Sequence, residues 1–247
     1  MIKTMGKLLN AAKGLGLGLT HIKVFNLDYF RSKRIAIVGP ANSAFNTGRG
    51  TYIDDFDVVV RMNKSPMTVA EGTSVADIGR RTDVLFHCFH ESPHGGGGPL
   101  DFELYRRLGI KYVINPRNEW SGLRNSYNYY KKYVSATNTY VLPRSLYVKI
   151  SESVSTYRPT TGYSALYSIL ETNFSELYIT GFTFFKTAYG SGYRDVMKEA
   201  HQAQSFIKQV GLHNPDAELQ GFKKILEKNK TKNVVTDAVL KNILENN

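Results

Sequence analysis

Residues 34–50, RIAIVGPANSAFNTGRG, decide how the rest of the chain is read. The run Arg34-Ile35-Ala36-Ile37-Val38 is apolar and lacks strict alternation, the pattern of a strand buried on both faces. It breaks at Gly39-Pro40 into a stretch of small and polar residues, a strand-to-helix turn. Outward from it, similar short runs predict strands over 57–61, 84–89, 111–114, 139–142 and 177–180. Helical patterns fall between and after them, over 101–108, 125–133, 161–171 and 196–210, with a last helix from Pro215 to about Lys228. The segments 95–98 and 120–122 read as loops. Alternating strand and helix predicts a single α/β domain, a mostly parallel sheet flanked by helices, over 31–247 behind a basic N-terminal arm over 1–30.

Composition narrows the function classes. The 247 residues suffice for one large core, and a single cysteine, Cys88, excludes an intrachain disulfide framework. That lone thiol and the lack of an apolar run long enough to cross a bilayer predict a soluble, cytoplasmic chain. The net charge of +11 favours an anionic partner: nucleic acid, a membrane surface or a phosphate-bearing substrate. Nucleic acid is set aside because no helix-turn-helix or RNA-recognition aromatic pair is present. In the arm, Lys7, Lys13 and four glycines interrupt any signal-peptide core. Two readings of it stay open, a docking arm or frayed terminus, and a basic amphipathic segment in peripheral contact with a membrane.

In parallel α/β sheets, ligands bind at the loops that leave the carboxyl ends of the strands. The turn from Gly39 to Gly50 is such a loop, and its small residues let backbone amides approach an anion, with Asn42 and Ser43 adding side-chain donors. It is neither a P-loop nor a dinucleotide fingerprint, since neither glycine spacing is present. Near the other end, His213-Asn214-Pro215 predicts a helix capped by Asn214 and opened by Pro215, with Asp216 and Glu218 in its first turn. His213 then precedes a helix N-terminus, which favours the neutral, proton-accepting imidazole.

Three ordered motifs bring these pieces together. Val38-Gly39-Pro40-Ala41-Asn42-Ser43, Ile53-Asp54, Asp57-Val58-Val59-Val60-Arg61-Met62-Asn63 and Ile78-Gly79-Arg80-Arg81-Thr82 resemble the large sialylmotif of the sialyltransferases, glycosyltransferase family 29. Arg158-Pro159-Thr160-Thr161-Gly162, a helix, and Leu177 to Phe182 resemble the small sialylmotif, and His213 to Glu218 the very short one. The resemblance spans about residues 34–225 and implies a Rossmann-like domain, a GT-A variant.

The resemblance further implies inverting, metal-independent transfer of sialic acid or a related acidic sugar from a CMP donor to a glycan hydroxyl. The CMP-sugar is a substrate, and no cofactor or metal is expected. His213 is the implied general base, with Glu218 orienting or stabilising its ring. Gly39, Asn42, Ser43, Asn63, Thr160, Thr161 and Gly162 are the implied donor contacts. The chain departs from the animal enzymes at Pro40, in its single cysteine, and in lacking the His of their third motif; Tyr189, Tyr193 or Lys186 is then expected to meet the departing phosphate. Its shortness resembles a microbial or viral member. A catalytically silent nucleotide- or glycan-binding module is the alternative.

Overall fold

A computed structural model describes residues 2–91, 96–193, 199, 201–202, 204–205, 207 and 211–246. Its regular elements in chain order are α1 (Ile2–His21), β1 (Ile22–Val24), β2 (Arg34–Val38), α2 (Gly50–Asp54), β3 (Val58–Met62), α3 (Ser65–Glu71), α4 (Val75–Ile78) and β4 (Val84–Phe86). There follow α5 (Phe102–Arg107), β5 (Tyr112–Asn115), α6 (Trp120–Tyr133), β6 (Thr139–Val141), α7 (Arg144–Glu152), α8 (Thr161–Leu170), β7 (Glu176–Thr180), α9 (Pro215–Lys228), β8 (Val234–Thr236) and α10 (Ala238–Asn246). The expected helix over 196–210 falls largely outside the described residues.

The strands form one sheet in the order β1-β6-β5-β4-β3-β2-β7-β8, and every pairing is parallel. The expected parallel α/β architecture is therefore present. Along β2, Ile35 and Ile37 enter the large core on one face while Ala36 and Val38 enter a second core on the other. This two-sided burial is why the strands read as unbroken apolar runs. The sheet also contains two strands that the pattern does not reveal. Edge strands β1 and β8 have three residues each and are half-exposed, too short to show a period. Residues 22–24 pair with β6, and α1 lies along α6, so much of the 1–30 segment belongs to the sheet and its helical layer.

Two local differences have clear causes. Residues 120–122 are the first turn of α6 rather than a loop, because the Glu119 carboxylate accepts from the amides of Ser121 at 2.8 Å and Gly122 at 3.1 Å. Arg61, a charge at the end of an expected apolar strand, is fully buried and donates to the carbonyls of Ile78, Gly79 and Arg81 and to the Thr82 hydroxyl.

The sheet reverses its winding between β2 and β7. There the chain leaves both strands through glycines in backbone contact: the Gly39 amide donates to Thr180 at 2.7 Å, and a Cβ on Gly39 would lie 2.1 Å from the Gly181 carbonyl oxygen. Gly181 itself has φ +74°, a conformation that glycine adopts without strain. Gly39→Ala is expected to destabilise the fold by about 2–3 kcal/mol, read as a shifted denaturation midpoint at unchanged slope.

Candidate functional site

A cavity of about 650 Å3 opens at this reversal, above the carboxyl ends of β5, β4, β3, β2 and β7. That is the crevice where open parallel sheets bind ligands. Its floor includes Pro40 and Ala41 after β2, Asn63 after β3 and Gly181 to Phe184 after β7. Its walls come from the start of α8, the start of α6 and the segment before α9.

The segments 158–160 and 212–218 are laced together on one wall. The Arg158 amide donates to the Leu212 carbonyl at 2.9 Å. The His213 Nδ1 lies 2.6 Å from the Arg158 carbonyl oxygen. A carbonyl only accepts, so Nδ1 carries the proton and Nε2 keeps its lone pair. Burial, opposed by the Arg158 carbonyl bond and reinforced by the charges of Arg158 and Arg117, holds the His213 pKa below its ordinary value. The ring is thus a neutral imidazole with one acceptor nitrogen, on a residue that lines the cavity.

Glu218 is buried and meets Thr160, not the imidazole. Its carboxylate accepts from the Thr160 amide at 2.6 Å and from the Thr160 hydroxyl at 2.9 Å. The Glu218 bonds thus go to Thr160 and not to the ring it is expected to orient, and the histidine's anchor is the Arg158 carbonyl two residues before that threonine. Burial raises the Glu218 pKa to about 8, against the lowering effect of both Thr160 bonds. Asn214 caps α9 through the amides of Asp216 at 3.0 Å and Ala217 at 3.1 Å, with Pro215 at its first position, as its spacing predicts.

The other expected site residues divide into two groups. Asn63, Thr160, Thr161, Gly162, Tyr189 and Tyr193 line the same cavity as His213 and Glu218. Asn63 is held at φ +50° after β3, and its Oδ1 accepts from the Cys88 amide at 3.1 Å. Thr160 caps α8 by accepting from Tyr163, and the orphan amides of Thr161 and Gly162 open on the cavity at the positive end of that helix. Tyr189 and Tyr193 stack with ring centroids 5.4 Å apart, and the Lys64 amine lies 5.4 Å from the Tyr193 ring.

Gly39, Asn42 and Ser43 are outside the lining, and Lys186 is as well. Gly39 is taken up by its contact with Gly181. Asn42 is exposed, its amide spent on the Ala188 carbonyl at 2.9 Å, while the Ser43 hydroxyl donates to Asp237 at 3.2 Å. The amides further along this turn have a protein anion already: the Asp77 carboxylate accepts from Thr47 and Gly48, each at 2.8 Å, and those bonds depress its pKa. The turn reaches the cavity through Pro40 and Ala41.

Several lining residues carry no sequence signal of their own. Arg117, nearly buried, is braced by Glu119 at 2.6 Å and by the Ser121 hydroxyl. Arg158, which opens the Pro159-Thr160-Thr161-Gly162 motif, lines the same cavity, as do Asn125 and His90. His87 is a packing residue: its Nε2 donates to the Gly97 carbonyl at 2.8 Å, Nδ1 accepts from Phe89, and burial lowers its pKa to about 4. Among the described residues, no cluster of three or more metal-ligating side chains is present, and no helix is long and apolar enough to cross a membrane.

The fold with this cavity is that of solved sialyltransferases. The chain superposes on a mammalian sialyltransferase in complex with Gal-β-1-3GalNAc-ortho-nitrophenol with a TM-score of 0.53 and 16% identity, over 91% of this chain and 78% of the other. For the Campylobacter jejuni sialyltransferase CstII in complex with a substrate analogue, cytidine-5'-monophosphate, the values are 0.52 and 14%, over 87% and 84%. For the monofunctional α-2,3-sialyltransferase Cst-I from Campylobacter jejuni they are 0.54 and 14%, over 91% and 84%. At such identities the likeness is one of fold. No protein-family model matches the chain, and no curated protein matches it.

The buried Glu218 carboxyl makes a prediction about stability. Its folded-state pKa stands above its ordinary value of 4.5, so its contribution is full below that value and is lost as pH rises through about 8. His213 and His87, with lowered values, act in the opposite sense in any variant that retains them. Glu218→Gln is therefore expected to gain relative to wild type as pH rises from 5 to 8. Thermal melts of the two proteins across that range check it, and parallel curves would show that the carboxyl does not titrate there.

Proposed function

We propose that the chain is an inverting glycosyltransferase that moves sialic acid, or a related acidic sugar such as an octulosonate, from its CMP donor to a glycan hydroxyl. The observation that carries this reading is the His213 bond to the Arg158 carbonyl. It leaves a neutral imidazole with its Nε2 lone pair at a cavity in a sialyltransferase-like fold. The acceptor oxygen attacks the anomeric carbon and forms the new glycosidic bond. The bond to the CMP phosphate oxygen breaks with its electron pair, and the hydroxyl proton passes to His213 Nε2. Attack opposite the leaving group inverts the anomeric centre.

Without a metal, the negative charge gathering on the phosphate is met by the chain's own donors. Tyr189 and Tyr193 and the Thr161 and Gly162 amides are the groups assigned to this work, with Asn63 assigned to the nucleotide. Arg117 and Arg158 give the cavity the positive potential that an acidic sugar attached to a phosphate requires. Burial first, and these charges after it, keep His213 unprotonated, so the acidic limb of the pH–rate profile is expected below the ordinary imidazole value of 6.5.

The test is CMP release from CMP-sialic acid and from CMP-octulosonate, with galactoside and lipopolysaccharide-core acceptors, in EDTA. Wild type is expected to release CMP only when acceptor is present. His213→Ala is expected to bind CMP as wild type does and to turn over about a hundredfold more slowly or less. Turnover by His213→Ala near the wild-type rate removes it as base, and absence of CMP binding by wild type overturns the donor assignment.

A further inference from the structure

Helix α1 packs on α6 through one face only. The Ala11 carbonyl accepts from the Tyr127 hydroxyl at 3.3 Å, and Gly14 lies so close to Lys131 that a Cβ there would come within 2.7 Å of its backbone. Leu17 and Gly18 continue this contact, which recurs at helical spacing. The opposite face carries Met5, Leu8, Leu15 and Leu19, which are 71%, 68%, 56% and 78% exposed. Their spacing, with Ala12 between, aligns them in a single outward stripe. An apolar stripe of this length uncovered on a surface helix marks a contact with something outside the chain.

Charge identifies the partner. The sequence has no acidic residue before Asp28, while Lys7 and Lys13 are exposed on the same helix and Lys23 follows in β1. A second copy of the same helix would bring these lysines against each other with no carboxylate in either helix to receive them. A bilayer bearing anionic headgroups satisfies both features at once, acyl boundary for the leucines and phosphate for the ammonium groups. Since α1 is not apolar enough to span, it lies in the plane of the interface.

We propose that α1 is a membrane-seating element, docking its Met5–Leu19 stripe on an anionic phospholipid surface. The geometry also orients the cavity. α1 and α6 run in the same direction, Ala11 beside Tyr127 and Gly14 beside Lys131, and α6 begins at the cavity, where Ser121 lines it. The start of the seated helix therefore lies toward the cavity end of the domain. This proposal is independent of the transfer reaction.

The experiment is co-flotation of the full chain with vesicles of phosphatidylcholine alone and of phosphatidylcholine mixed with phosphatidylglycerol. Wild type is expected to float with the anionic vesicles only, and to be released by high salt. The variant carrying Leu8→Gln, Leu15→Gln and Leu19→Gln, and separately the variant carrying Lys7→Glu and Lys13→Glu, are each expected to lose binding by about tenfold or more. All substituted side chains are exposed, so unchanged far-UV circular dichroism and melting temperature are expected for both. Failure of wild type to float with anionic vesicles overturns the proposal, as does equal flotation of the leucine variant. A wild-type dimer in sedimentation equilibrium that becomes monomeric in the leucine variant, without vesicle binding, assigns the stripe to a second copy instead.

Discussion

The contact between Gly39 and Gly181 is the constraint on which the site depends. Two adjacent parallel strands must end side by side, and their chains must then turn to opposite halves of the sheet. Any side chain on Gly39 would hold the turns apart, because its Cβ would meet the Gly181 carbonyl at 2.1 Å. Asp237 reinforces the junction from β8, accepting from the Gly181 amide at 2.9 Å and the Thr180 hydroxyl at 3.0 Å. The cavity is what remains above strands so joined. Its floor is fixed by backbone packing, before any ligand chemistry is considered.

On that floor stands a wall whose electrostatics arise from a few linked bonds. Glu218 grips Thr160, the segment through Pro159 carries the Arg158 carbonyl to His213, and Leu212 receives the Arg158 amide. The histidine and the glutamate thus belong to one helix start, yet they communicate through a different chain segment. Burial drives their protonation the same way in chemical terms, toward the uncharged form of each. Around them the cavity is lined by Arg117 and Arg158 and by the positive end of α8.

Much of this was legible in the sequence. The central strands were, because burial on both faces leaves unbroken apolar runs, and so was the start of α9, because Asn214 and Pro215 have narrow local preferences. The edge strands were not, since three half-exposed residues carry no pattern. The motif resemblance named His213, Asn63 and Thr160, and these three line one cavity. It could not distinguish a glycine that approaches a ligand from one that approaches another glycine, and so placed Gly39 among the donor contacts. Nor could it foresee that Asp77, thirty positions from Thr47, would occupy the amides of the turn at 2.8 Å. Arg117 carries no pattern in the sequence and Arg158 only opens a motif; β5 and the segment before α8 bring the two to one cavity.

The edge pairing of β1 has a consequence for the order of events during synthesis. Ile22 pairs with Thr139, a separation of 139 − 22 = 117 residues, and the face of α1 that rests on Tyr127, Tyr130 and Lys131 has no partner until α6 exists. Helix α1 therefore leaves the ribosome with both of its faces open, and the face that packs on α6 stays so while half the domain is still being translated. During that interval its apolar residues are open to chaperones, before the fold has covered the inner side.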